Sequence, residues 1–196
     1  FGNLKKVILK NGKIIEYVTD GKNRRIAKIV NGVVSRKWTY QGLLRPIAEY
    51  DGQDNLIARY VYANNINVPE YMIKNGETYR LITDLLGSVR IIVNVATGEI
   101  VQRMDYDEYG NILSDSNSGF TPFGFAGGMY DIDTKLTRFF YRDYDANSGR
   151  WTTKDPNGQG AGFNVYLYVN NSPVSYIDPT GEFAQIIVGA VVGAAT

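Results

Sequence analysis

The sequence predicts an all-β chain of repeated antiparallel β-hairpins, stacked one after another rather than closed into a small domain. Three observations carry this. Turn pairs recur at Asn11-Gly12, Asp20-Gly21, Asn31-Gly32, Asp51-Gly52 and Asn75-Gly76, separated by β-branched runs such as VILKNGKIIEYV and RIAKIVNGVVSRKW. Tyr-Asp recurs at Tyr50-Asp51, Tyr106-Asp107, Tyr130-Asp131 and Tyr144-Asp145. Among 196 residues, Gly (21) and Tyr (15) are heavy while Pro is only 6, a proportion suited to short strands between glycine turns.

Taken in order, residues 1–38 predict two hairpins with turns at Asn11-Gly12 and Asn31-Gly32, because Asn-Gly and Asp-Gly favour type I′ turns whose twist matches paired strands. LLRPIAEYDGQDNLIARYVYA predicts a third, turning between Asp51 and Asn55. NNINVPEYMI, with its proline and paired asparagines, predicts a loop or edge connection. Residues 77–93 predict strand, turn near Gly87 and strand; Thr97-Gly98 predicts a turn, residues 100–106 a strand, and Gly110-Asn111 another turn. In each Tyr-Asp pair the tyrosine buries a ring at a strand end and the aspartate caps the following turn. SDSNSGF is a polar loop, and helix is confined to the stretch after Glu182.

Composition narrows the chemistry. The chain has 21 basic and 20 acidic residues, a net charge of +1, which gives no general pull toward nucleic acid or anionic membrane. Without Cys there is neither a disulfide framework nor a thiolate metal site. Without His, a Ser-His-Asp triad, a Cys-His pair and a histidine zinc site are excluded. Catalysis is left to carboxylates, Lys, Tyr or backbone. No phosphate loop or dinucleotide glycine signature is present, and no cofactor is expected. The chain begins at Phe1 rather than Met, which suggests a piece of something longer, and its end, FAQIIVGAVVGAAT, is an apolar tail shorter than the roughly 20 residues that span a bilayer.

Residues 138–183, RFFYRDYDANSGRWTTKDPNGQGAGFNVYLYVNNSPVSYIDPTGEF, hold two Asp-Pro-x-Gly units, Asp155 to Gly158 and Asp178 to Gly181. Each predicts a turn, and a strand is expected between them at residues 165–169. With LITDLLGSVRIIVNVATGEIVQRMDYDEYGNIL and GFTPFGFAGGMYDIDTKLTRFFYRDYD upstream, this stretch closely resembles the RHS-repeat-associated core domain of bacterial Rhs and YD-repeat proteins, related to toxin-complex C subunits. The resemblance is most specific over residues 81–183 and generic over 1–62. It implies a strip of hairpins spiralling into a partial shell, a C-terminal core plug and a short apolar tail. The implied divisions are YD-repeat hairpins at 1–80, the core domain at 81–182 and the start of a variable region at 183–196.

The resemblance also implies a site. In the family, two Asp-Pro aspartates and an upstream Arg form an aspartic-protease-like centre that cuts the chain just after the second Asp-Pro-x-Gly. Here these are Asp155, Asp178 and Arg142, with the cut between Glu182 and Phe183. Two carboxylates held close share a proton, so that one activates water while the other donates, and Arg142 orients one of them. The chain departs from the family at Glu182, where Leu is usual, and this places a third acid at the cut. From sequence physics alone, both aspartates are more often simple turn caps.

Other constellations have bland readings. Arg138 and Arg150 read as exposed cations, and the basic run Lys22, Arg24, Arg25 and Lys28 as a solvated face. Asp105, Asp107, Glu108 and Gly110, or Asp131 and Asp133, have some calcium-loop spacing but lack the closing Glu, so turn capping explains them better. The leading functional reading is therefore a shell segment of a secreted or cell-surface bacterial polymorphic toxin. It would enclose its own C-terminal toxin domain in cis, with secretion-machinery or shell-capping proteins as further partners, no nucleic acid, and tail contact with membrane as a minor idea. The competing reading is a carbohydrate-binding or adhesive surface protein without proteolytic activity.

Overall fold

The computed structural model describes residues 2–156, 164–182 and 185–186. An eleven-stranded antiparallel sheet takes its strands in strict sequence order: β1 (Lys6–Ile8), β2 (Ile14–Thr19), β3 (Arg25–Val30), β4 (Val33–Gln41), β5 (Arg45–Tyr50), β6 (Leu56–Val61), β7 (Tyr71–Lys74), β8 (Glu77–Thr83), β9 (Val89–Asn94), β10 (Ile100–Tyr106) and β11 (Ile112–Asp115). A four-stranded sheet follows, of β12 (Met129–Tyr130), β13 (Thr137–Phe139), β14 (Arg142–Asp145) and β15 (Arg150–Trp151), and then the pair β16 (Tyr176–Ile177) and β17 (Gln185–Ile186). Helix among the described residues is limited to short 3-10 turns such as Phe125–Gly127 and Val169–Asn171. The all-β, serial hairpin architecture is the one the sequence predicts.

Local chemistry sets most turns. Asn31-Gly32 and Asn75-Gly76 have positive φ at both residues, as a type I′ hairpin requires. The Asp-Gly pairs behave differently. Asp20 and Asp51 each start an Asx turn, accepting from the amides two and four residues on, and the left-handed residue is Asn23 or Asp54 rather than the glycine. Asp84 and Asp107 repeat the same pair of bonds.

Five register shifts, the mark of a β-bulge, fall just before a turn, at Val18/Thr19, Thr39/Tyr40, Glu49/Tyr50, Ile82/Thr83 and Asp105/Tyr106, and two more lie at Lys28/Ile29 and Ile100/Gln102. Each bulge bends its strand and adds right-handed twist, so the sheet curves. Residues far apart along the strip therefore meet one inner segment. Tyr17 on β2 bonds to Asp131, Tyr60 on β6 stacks edge-on against Phe123 at 5.0 Å, and Ser88 bonds to the Ala126 amide. Two apolar clusters fill the concavity. One joins Tyr60, Val68, Met72, Val89, Ile92, Met104 and Phe123, and the other Phe125, Phe139, Tyr144, Trp151, Tyr168 and Val169.

Four expectations need correction. Tyr71–Lys74, expected within a loop or edge connection, is an interior strand paired on both sides, because Val68 and Met72 bury on the core face and outweigh the neighbouring proline. Residues 165–169 form turns rather than a strand. Only Leu167 bridges, to Arg150, and Val169, Asn170 and Asn171 all have positive φ, which breaks an extended run. The basic run is not a solvated face either, since Arg25 and Lys28 are buried. So is Arg138, whereas Arg150 is exposed as expected.

These cations are buried because each finds a carboxylate across the concavity. Asp143 takes Arg25 at 2.8 Å and Arg138 at 2.9 Å. Asp131 takes Lys28 at 2.7 Å and the Tyr17 hydroxyl at 2.8 Å, while Asp133 takes Lys28 and Lys13, each at 2.6 Å. The last two aspartates, weighed above as calcium ligands, are thus held by ammonium groups and by turn amides.

Candidate functional site

Arg142 opens β14, and register places Tyr144, two residues on and so on the same face, opposite Trp151 of β15. The Trp151 ring lies under the guanidinium, 4.1 Å from ring centroid to Cζ. Asp155 follows β15 by four residues, its amide bonded to the Val165 carbonyl. Asp178 directly follows β16 and begins the second Asp-Pro turn. The turn docks on the start of β14: the Tyr141 amide donates to the Thr180 carbonyl at 2.9 Å. Gly181 has φ +75° and packs so closely that an added Cβ would stand 3.1 Å from the Arg142 amide nitrogen, which is why glycine ends the turn.

The three residues singled out from the sequence meet. Arg142 Nη2 lies 2.8 Å from Asp155 Oδ2 and 3.2 Å from Asp178 Oδ2, and Arg142 Nε donates to the Gly181 carbonyl at 2.5 Å. All three side chains are almost fully buried. The other oxygen of Asp178 accepts from the Gly181 amide at 2.8 Å, the Glu182 amide at 3.0 Å and the Thr180 hydroxyl at 3.2 Å. Asp178 is therefore an acceptor on both oxygens, the pattern of an ionised carboxylate. Both carboxylates thus contact one nitrogen of Arg142.

Glu182 stands beside this centre. Burial, and then the negative charges of Asp178 and Asp155, push its carboxyl above the usual range. Burial presses the other way on Arg142, lowering its pKa against the opposing pull of Asp155 and Asp178. Phe183, the other half of the expected cut, lies outside the described residues. Sequence reasoning missed Trp151 and the Gly181 carbonyl as partners of Arg142. The signal for Trp151 was present, because a hairpin turning at residues 146–149 puts residues 142, 144 and 151 on one face.

Comparison with known proteins covers nearly the whole chain. The family model described as Teneurin YD-shell matches residues 1–174. Teneurin-1 of Gallus gallus is 31% identical over 187 residues, 90% of this chain, and Teneurin-3 of Danio rerio is 32% identical over 187 residues, 88% of it. The tRNA3(Ser)-specific nuclease WapA of Bacillus spizizenii is 29% identical over 181 residues, 89% of this chain. The chain spans 7% to 8% of the length of these relatives. Among solved structures, the crystal structure of TcdB2-TccC3-TEV superposes on 92% of this chain with a TM-score of 0.70 at 24% identity, and the match takes up 10% of that chain. That likeness concerns the fold, and it is a fold of serial hairpins. A sequence match from the first residue past the second apolar cluster, on such a fold, means that this chain belongs to the YD-shell family and is a shell segment of the Rhs/YD-repeat kind.

Proposed function

We propose that this segment closes the shell of a secreted or cell-surface bacterial toxin, encloses that protein's own C-terminal domain, and cuts the chain once between Glu182 and Phe183. The observation that carries the cut is the placement of one guanidinium: Arg142 bonds both aspartates and the carbonyl of Gly181, one residue before the bond in question. Asp178 is committed as an acceptor and fixes the turn, so Asp155 is the carboxylate assigned to take a proton from water. The hydroxide so formed adds to the Glu182 carbonyl carbon. Arg142 Nη1, buried and without an acceptor among the described residues, is the donor assigned to the developing oxyanion. The C–N bond then breaks with proton transfer to the Phe183 nitrogen, leaving a carboxylate at Glu182 and an amine at Phe183.

Enclosure is supported by kinship. One solved structure is of TcdB2-TccC3 without its hypervariable C-terminal region, and WapA is named as a nuclease although the part it shares with this chain is shell. The division at residues 80/81 is retained as a boundary between generic repeats and core motifs; it falls inside β8, so the sheet itself is continuous there. The glycan-binding alternative needs an aromatic stacking face, and Trp38 and Trp151 are both buried. Among the described residues no helix is long and apolar enough to cross a membrane; of the apolar tail, 183–196, those residues include only Gln185 and Ile186.

The test is Asp155→Asn in the full-length protein, read by intact mass. Wild type is expected to give two fragments whose masses place the cut after Glu182, and the variant a single uncut chain. Equal fragments from both would rule Asp155 out.

A further inference from the structure

The turn that joins β7 to β8 holds two groups that react with each other. In an Asn-Gly pair the glycine amide nitrogen adds to the asparagine side-chain carbon, Cγ, because glycine has no side chain to block the approach. The Cγ–Nδ2 bond breaks, ammonia leaves, and a five-membered succinimide remains. Water then opens this ring at one carbonyl or the other. The product is aspartate, or isoaspartate with its backbone routed through the side chain.

Three such pairs lie among the described residues, Asn11-Gly12, Asn31-Gly32 and Asn75-Gly76, and all three are exposed. Asn157-Gly158 lies outside them. Exposure does not separate the three, but hydrogen bonding does. Asn11 Oδ1 accepts from the Lys13 amide at 3.0 Å, and the Gly12 amide donates to the Leu9 carbonyl at 2.9 Å. Asn31 is tied to β2 twice: its Oδ1 accepts from the Ile14 amide at 2.8 Å, and its own amide donates to the Ile14 carbonyl at 2.8 Å. The Asn75 side chain and the Gly76 amide make no hydrogen bond among the described residues. Only there are the attacking nitrogen and the side-chain amide both unbonded.

We infer that Asn75 is a site of spontaneous covalent modification, closing to a succinimide with Gly76 and losing its amide ahead of Asn11 and Asn31. Its place in the fold gives this a consequence. A two-residue loop fixes the register of its strands, and this one sets Met72 opposite Tyr79, both of them buried. An isoaspartate lengthens the loop by one backbone atom, which weakens the pairing that carries both side chains into the core. The site is separate from Arg142, Asp155 and Asp178.

The full-length protein is incubated in mildly alkaline buffer and digested at intervals. Each Asn-Gly peptide is followed by mass spectrometry, with Asn157-Gly158 scored apart. In the folded protein Asn75 is expected to convert at least about fivefold faster than Asn11 or Asn31, since each of those must first break a hydrogen bond. In guanidinium chloride, where the turns are lost, the three rates are expected to converge. Aged wild type is expected to unfold at a lower urea midpoint than fresh protein. Asn75→Gly keeps a residue suited to positive φ but has no amide to lose, so ageing is expected to lower its midpoint less. Equal rates in the folded protein, faster conversion at Asn11 or Asn31, or the same ranking in guanidinium chloride would each overturn the inference. An equal fall in midpoint for Asn75→Gly would overturn the consequence for β7 and β8.

Discussion

Arg25 on β3 and Asp143 on β14 form an ion pair at 2.8 Å across 118 residues of chain, and neither side chain is more than 6% exposed. Arg138 completes the carboxylate's coordination at 2.9 Å and passes a second bond to Asn3. The hairpin strip and the C-terminal sheet are thus joined by charge as well as by apolar packing.

Removing the shared carboxylate should leave two buried guanidinium groups without a counter-charge. Asp143→Asn is expected to cost about 3–5 kcal/mol, measured by urea unfolding of the full-length protein. Asp105→Asn removes a partner of Arg90 in a pair that is 35% and 49% exposed, and should cost less than about 1 kcal/mol. Equal losses would show that the buried triad does not join the two sheets.

Arg142 reaches three acceptors because its guanidinium is a planar fork, which a lysine ammonium cannot copy. Arg142→Lys is therefore expected to slow self-cutting about a hundredfold or more while the chain still folds. The rate is read from the appearance of the fragment after synthesis. Wild-type kinetics in the variant would remove Arg142 from the proposed mechanism.

Asp133 sets part of the acid limit of stability. Burial pushes its carboxyl up, but bonds from Lys13 and Lys28 outweigh this and hold it below the usual range. Because the folded pKa lies below the unfolded one, near 3.9, this carboxylate stabilises fully above that value and less as pH falls through the folded pKa. Asp133→Asn should thus show a shallower loss of stability below about pH 4, read as unfolding midpoints across an acid series. A parallel decline in variant and wild type would remove Asp133 from the acid limit.

Glycines at the turns differ in what they exclude. A Cβ on Gly110, at φ +90°, would lie 2.3 Å from Cγ of the Phe125 ring, whereas one on Gly12, at φ +81°, would meet nothing within 4 Å. Gly110→Ala should cost at least about 3 kcal/mol, from backbone strain plus overpacking, and Gly12→Ala only about 1–2 kcal/mol. Thermal or urea midpoints compare the two directly.

The sequence by itself determined most of the hairpins, β7 excepted, because a turn such as Asn31-Gly32 and a cap such as Asp107 act over four or five residues and need no distant partner. It also marked Arg142, Asp155 and Asp178, though only through resemblance, since as isolated residues two Asp-Pro aspartates read as turn caps. Tertiary structure decided what the charges do. Arg25, Lys28 and Arg138 look like solvated surface along the chain and become interior because carboxylates arrive from the other side of a curved sheet. It decided as well that Asp155 and Asp178 hold a cation between them, and that residues 165–169 turn instead of extending. Curvature is the physical reason: bulges spread over five hairpins sum to a bend that no single stretch of sequence displays, and that bend chooses which distant side chains meet.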